Sequence, residues 1–321
     1  DWQVRGGRLE CLQAGPGMPV RTVHLITREV TDKEGDIHIS VRMGVLKANN
    51  RQGWSGFLIG AGAGKLDYKA ASLIHHFSGK GGGLLCVMDM DGNLQFRDNN
   101  DESARDVYPV ISPDVKEKLN PKKRNMWEDI QLDLDVVPSG SGKYSINMSA
   151  WDYLTGEFLG GICLKNVNET EIKGNIALVS SPVGKSSKGA RFWFKNFRID
   201  GKKIKVHPER GIGPVIGTLY SLSNRVLKLT AQFMPVGLSD SRTAVFEYRP
   251  VNSDLWFRGA ESEIVSPGYT AHFRIEDWDD TSDYQFRIVY KNKNKVYPPY
   301  TGIIKKDPKD KEEIVLSLIH I

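Results

Sequence analysis

Apolar and polar residues alternate along most of the chain. In DIHISVRMG (36–44), Ile37, Ile39, Val41 and Met43 share one face, while His38, Ser40 and Arg42 share the other. In DIQLDLDV (129–136), Ile130, Leu132, Leu134 and Val136 oppose Gln131, Asp133 and Asp135. A period of two predicts half-buried antiparallel strands. Turn chemistry falls between them: Asp91-Gly92, SGSGK at 139–143, and Thr155-Gly156 each read as a strand reversal. Helical periodicity is confined to short pieces near 67–76 and 113–119. Many short strands with glycine-rich turns predict an all-β chain of sandwich or jelly-roll type.

The pattern breaks once. GARFWFKNFRIDGKKI (189–204) reads as a closing strand and polar turn, and VHPERGIGP (206–214) holds two Pro and two Gly without periodicity, as a linker does. The strands VIGTLYSLS, RVLKLTAQFM, RTAVFEYRPV, YTAHFRIEDW, SDYQFRIVYK and YTGIIKK follow. The expected organisation is a jelly roll over 1–205, a linker over 206–214, and an immunoglobulin-like or fibronectin type III-like sandwich over 215–305. Tyr284, opening its strand, stands where such sandwiches place a corner tyrosine. A length of 321 residues accommodates two cores.

Charge and cysteine usage narrow the partners. The 44 basic and 39 acidic residues are intermixed, so the net charge of +5 forms no basic stripe and nucleic acid is not an expected partner. Cys11, Cys86 and Cys163 lie far apart, without zinc spacing, and read as buried thiols. No run reaches the roughly 20 apolar residues of a membrane-spanning helix.

Several stretches imitate catalytic motifs. GAGAGK (60–65) has Ile59 and Leu66 where a phosphate loop needs Gly and Ser or Thr, so it reads as a turn, as does SGKGGG (78–83). Asp36-Ile37-His38 matches a metallophosphatase DxH pattern but lacks the further ligand segments, leaving His38 on the polar face of a strand. The acidic stretch RDNNDESARD offers Asp98, Asn100, Asp101 and Asp106 as a speculative calcium loop, without EF-hand spacing. His75 and His76 are speculative ligand-binding residues; as neighbours on a strand they would point to opposite sides. Glu128, Asp129, Asp133 and Asp135 are the carboxylates a sandwich glycosidase could use. Their alternation with apolar residues favours a solvated face. Asn147-Met148-Ser149 and Asn168-Glu169-Thr170 are glycosylation sequons in form.

WQVRGGRLEC, RTVHLIT, GWSGFLIGAG, LDYKAASLIHH, GKGGGLLCVMDMDGNLQFRD and GARFWFKNFRIDGKKI together resemble a concanavalin A-like, or laminin G-like, jelly roll. With VFEYRPVNSDLWF, YTAHFRIEDWDDTSDYQFRIVY and YTGIIKKDPKDKEEIVL they are similar to the N-terminal region of bacterial alkaline phosphatase D-like proteins. The resemblance implies a secreted, periplasmic or surface-attached phosphoesterase. Its metal-bound catalytic domain would start near Ile314, so divalent metals are expected only there. Residues 306–315 would connect to that domain, and no catalytic position carries over to this chain. The jelly roll would bind a glycan, polymer or neighbouring domain. A binding protein without an enzyme domain, taking extracellular carbohydrate, is the alternative expectation.

The ends bear on this reading. The chain starts at Asp1 in a strand approach, which predicts an N-terminus further upstream. Residues 316–321, LSLIHI, match in every position the translation of CTGTCTCTTATACACATC, a transposon-derived adaptor end. His320 is therefore expected to be a processing scar on an environmental fragment rather than a ligand.

Overall fold

A computed structural model describes residues 2–13, 20–47, 53–73, 77–103, 107–117, 128–182, 189–211, 213–237 and 239–309. The chain divides into two compact units, Asp1–Gly211 and Ile212–Ile321. His75, His76, Asp106, the connector beyond Lys309 and the terminal LSLIHI lie outside the described residues.

The strands of the first unit are β1 (Trp2–Arg5), β2 (Arg8–Cys11), β3 (Arg21–Val30), β4 (Ile37–Lys47), β5 (Trp54–Ala61), β6 (Leu84–Asp89), β7 (Leu94–Asp98), β8 (Val110–Ile111), β9 (Val115–Glu117), β10 (Ile130–Gly140), β11 (Lys143–Asp152), β12 (Phe158–Asn168), β13 (Gly174–Ser181), β14 (Arg191–Asp200) and β15 (Ile204–Val206). They form two antiparallel sheets, ordered β1-β2-β14-β4-β10-β11-β12-β9 and β15-β3-β13-β5-β6-β7-β8. The chain crosses between the sheets at β2–β3, β3–β4, β4–β5, β8–β9, β12–β13, β13–β14 and β14–β15, as in a jelly roll.

The alternation read from the sequence explains how the sheets meet. Ile37, Ile39, Val41 and Met43 of β4, with Ile130, Leu132, Leu134 and Val136 of β10, point inward onto Phe57, Ile59, Cys86 and Phe96 of the other sheet. Strands β5, β6 and β13 follow a different rule, because both of their faces are covered. Trp54, Leu58, Leu85, Val87, Ala177 and Val179 form a second buried cluster on the opposite face, with Val20 and Tyr108. Hence LLCVMD and GNIALVSS are apolar runs without alternation.

The two short helical candidates come out differently. The segment near 67–76 does form a helix, α1 (Tyr68–Leu73), whose first turn is capped by Asp67 Oδ1 accepting from the Lys69 and Ala70 amides. The segment near 113–119 does not: it contains β9, an exposed edge strand paired with β12 through Gly161, Ile162 and Cys163. Three residues of edge strand carry too little periodicity to be told from a helical turn.

The first unit also runs further than its closing pattern suggests. After a turn at Gly201, β15 pairs with β3, the His207 amide donates to Thr27 O, and Arg210 bonds Glu29. Val206 through Gly211 is thus held against the strands of this unit. Gly201 itself has φ +125°, and a Cβ there would stand 2.4 Å from Asp36 O, so only glycine closes this turn. Lys203, fully buried, locks it: its Nζ donates to Lys33 O and Tyr144 Oη at 3.1 Å each and pairs with Glu169.

The second unit comprises β16 (Val215–Ser223), β17 (Val226–Phe233), β18 (Thr243–Pro250), β19 (Phe257–Val265), β20 (Thr270–Ile275), β21 (Tyr284–Asn292), β22 (Lys295–Val296) and β23 (Tyr300–Ile304). Its order is β16-β17-β20-β19-β18-β21, with β23 and β22 on β21. Three strands, β16, β17 and β20, face four, β19, β18, β21 and β23, around Phe246, Phe273, Phe286 and Trp278. This is the strand order of a fibronectin type III sandwich. Strand β19 has no clear alternation in the sequence, because FRGAESEIV buries only Ile264 and leaves its other large apolar residues, Phe257 and Val265, exposed at its two ends. Tyr284 holds the corner: its hydroxyl donates to Asp279 Oδ2 at 2.8 Å, five residues upstream. Burial and this carboxylate push the phenol up to about 12.

Candidate functional site

The residues that β4, β10, β11, β12 and β14 turn away from the core align in cross-strand rows. One row runs Lys195, Arg42, Gln131, Trp151, Phe158. The next runs Arg198, Ser40, Asp133, Ser149, Gly161, and ends at Glu117 of β9. The third runs Asp200, His38, Asp135, Asn147, Cys163. The side chains of the first row are long, whereas those of the other two are mostly Ser, Gly, Asp, Asn and Cys. This outward face, the trough, crosses six strands, roughly 24 Å at about 4.8 Å per strand.

One wall carries rings. Trp151 and Phe158 meet edge to face with centroids 4.9 Å apart, and the Trp151 indole donates to Ser149 Oγ at 3.1 Å. Tyr153, at the start of the β11–β12 turn, lies under the Arg42 guanidinium at 3.8 Å. Arg42 is itself held by Asp129, with Nε donating to Oδ1 at 2.6 Å and Nη2 to Oδ2. A guanidinium fixed by a two-point carboxylate contact is rigid, so Tyr153 is held in place from above. Tyr153 and Phe158 are nevertheless 40% and 43% exposed, and Leu154 at the turn tip is 76% exposed. Exposed rings on an otherwise polar sheet face are not needed by the core. Trp193, further along β14, is buried beneath Arg8 at 5.1 Å and Arg42 at 5.9 Å.

The other wall is charged. His38 Nδ1 lies 2.7 Å from Asp135 Oδ1, and this hydrogen bond, against partial burial, raises the imidazole's pKa; the Asp200 and Asp133 charges act in the same direction. Asp133 accepts from Gln131 Nε2 at 2.8 Å. The carboxylates read as a solvated face thus do lie outward, but each acts on a neighbouring side chain rather than standing in water alone.

The other sequence candidates fall elsewhere. Asp98 Oδ1 accepts from the Asn100 amide at 3.0 Å and from Asn100 Nδ2 at 2.5 Å; Asp101 Oδ1 accepts from the Ser103 amide and hydroxyl. Both carboxylates cap their own turn. Among the described residues no group of three or more His, Cys, Asp or Glu stands where it could hold a metal ion. The two glycine-rich stretches pack on each other, Gly62 N donating to Gly82 O, while Asn99 Nδ2 donates to Gly79 O and Gly82 O. They are strand connections, and the first-turn amides of α1, which follows the first stretch, are already taken by Asp67. Cys11 and Cys86 are buried free thiols, and burial pushes both upward; Cys163 is a half-buried free thiol.

Arg42, Trp151, Tyr153 and Phe158 were not singled out in the sequence. The signal was present: Trp151 sits at an outward position of the alternating YSINMSAWD, where a polar residue is expected. What one strand could not show is that Phe158 and Arg42 share its row.

The strand orders define the class of protein: an all-β chain with a concanavalin A-like jelly roll followed by a fibronectin type III-like sandwich. No family model matches the chain, and no curated protein matches it, so the phosphatase likeness has no counterpart in these comparisons. Solved structures give remote likenesses. Arcelin-5, a lectin-like defense protein from Phaseolus vulgaris, is 12% identical, with a TM-score of 0.40 over 63% of this chain and 90% of its own. Lectin I-B4 from Griffonia simplicifolia is 9% identical, with a TM-score of 0.40 over 63% of this chain and 91% of its own. A two-domain fibronectin type III segment of chicken tenascin is 11% identical, with a TM-score of 0.24 over 54% of this chain and 97% of its own. No helix among the described residues is long and apolar enough to cross a membrane.

Proposed function

We propose that the first unit is a carbohydrate-binding module that takes a polysaccharide along the trough. The observation that carries this is the set of rings Tyr153, held under Arg42–Asp129, and Trp151 with Phe158, packed on each other, beside a row of hydroxyl and carboxylate acceptors. A sugar offers an apolar C–H face to a ring and hydroxyls to carboxylates and amides, and this arrangement meets both needs. The trough length suits a chain of several sugars better than a terminal residue. A module of this kind meets its ligand outside the cytoplasm. The alkaline phosphatase D-like resemblance adds a parent-protein reading, with catalysis outside these residues; no contact in either unit favours it over a free-standing binding protein. Calorimetric titration of the intact chain with soluble neutral polysaccharides tests the proposal. Binding that Y153A and F158A each weaken about tenfold or more, at unchanged melting temperature, is expected. Binding untouched by both changes contradicts it.

A further inference from the structure

Ser149 and Asp133 stand opposite one another in the second row of the trough, on β11 and β10, and both are half-buried. Trp151 and Gln131 stand opposite one another in the first row, on the same two strands. The four side chains form a two-by-two block in which each first-row residue donates to its second-row neighbour. The Trp151 indole donates to Ser149 Oγ at 3.1 Å, and Gln131 Nε2 donates to Asp133 Oδ1 at 2.8 Å.

Hydrogen-bond capacity then fixes what the block presents. An indole N–H only donates, so Ser149 Oγ accepts there and its own proton is directed elsewhere. A carboxylate has about four lone-pair sites, and the Gln131 contact occupies one of them. The second row thus sets a donor beside an acceptor. Residues opposite one another in an antiparallel pair have Cβ atoms about 4.5–5.5 Å apart. One hydroxyl oxygen spans such a gap with two hydrogen bonds of about 2.7–2.8 Å each.

We propose that Ser149 and Asp133 are the specificity-determining pair of the trough, reading one unsubstituted sugar hydroxyl that accepts from Ser149 and donates to Asp133. Trp151 is then a positioning residue as well as part of the ring wall, because its N–H turns the Ser149 proton toward the ligand. This rests on the carbohydrate reading of the same face. An O-methyl group keeps the oxygen but removes its proton, which leaves the Asp133 carboxylate without that bond. The ligand class is therefore a polysaccharide with free ring hydroxyls rather than one blocked by O-methylation.

Calorimetric titration of the intact chain with a neutral glucose oligomer, and with the same oligomer O-methylated, tests the pair. The free oligomer should bind about tenfold or more tighter than the methylated one, and D133A should bring the two within about twofold of each other. S149A should weaken the free oligomer about fivefold in the unaltered chain but no more than about twofold in a W151F background, where a ring remains and the N–H is gone. Circular dichroism checks that each variant folds; should W151F not fold, S149A and D133A decide. Equal binding of both probes by the unaltered chain, S149A within about twofold of it, or an S149A loss undiminished by W151F overturns the pair. The carbohydrate reading stands in each of those cases as long as Y153A and F158A weaken binding. Binding of neither probe overturns both.

Discussion

Lys203→Met removes the buried cation that ties the turn after β14 to three other segments. Lys203 has no exposed surface, and its Nζ is shared among Lys33 O, Tyr144 Oη and the Glu169 carboxylate. Removing one partner of a buried ion pair costs about 3–5 kcal/mol, because the remaining charge loses its compensation. Here that charge is on Glu169, which is 29% exposed and recovers part of its hydration from water. The cost therefore falls to about 2–3 kcal/mol, including the unpaired Tyr144 hydroxyl at about 1 kcal/mol. In a unit of this size such a loss lowers the melting temperature by roughly 4–12 °C. A double change, K203M with E169L, leaves neither charge and should recover much of the loss, as replacement of both partners by apolar groups does. Thermal and urea unfolding followed by circular dichroism reads both. A K203M melting temperature within about 1 °C of the unaltered chain, or a double variant no better than the single one, would refute this account of the turn.

Other expectations follow from single contacts. Tyr284→Phe deletes the hydroxyl that binds Asp279 and should destabilise the second unit by about 1 kcal/mol, seen in its melting transition; in the unaltered chain, ultraviolet titration should place one tyrosine near 12. Phe246→Ala, at the centre of that unit's aromatic cluster, should cost about 3–5 kcal/mol in urea unfolding. His38 should titrate above the ordinary imidazole value by NMR and move back toward it in D135N. Because its folded pKa is raised, the stability it contributes is fully present below the ordinary value and is lost as pH rises through the folded one. With both side chains about half exposed, that contribution stays below about 1 kcal/mol. Asp129→Asn should leave the fold intact while loosening Arg42 over Tyr153, weakening polysaccharide binding several-fold in the same calorimetric titration.

The all-β class was legible because alternation is a local signal: Ile37 to Met43 and Ile130 to Val136 each display their buried face within one strand. Strand β19 was not legible, since a strand whose one buried residue is Ile264 barely alternates. The contacts of His207 and Arg210 were not legible either, because their partners, Thr27 and Glu29, lie about 180 residues earlier. The same holds for the trough. Asp129, Asp133 and Asp135 were visible as outward carboxylates, but the pairing of Arg42 with Asp129, 87 residues apart, exists only once β4 lies beside β10.

The central claim is that ligand binds along the outward rows of β4, β10, β11 and β12. Amide chemical-shift mapping of the labelled intact chain, titrated with a neutral glucose oligomer, tests it most directly. The account predicts shifts concentrated at Arg42, Asp133, Ser149, Trp151, Tyr153, Phe158 and Gly161; shifts confined to the opposite sheet or to the second unit, or none at all, would contradict it.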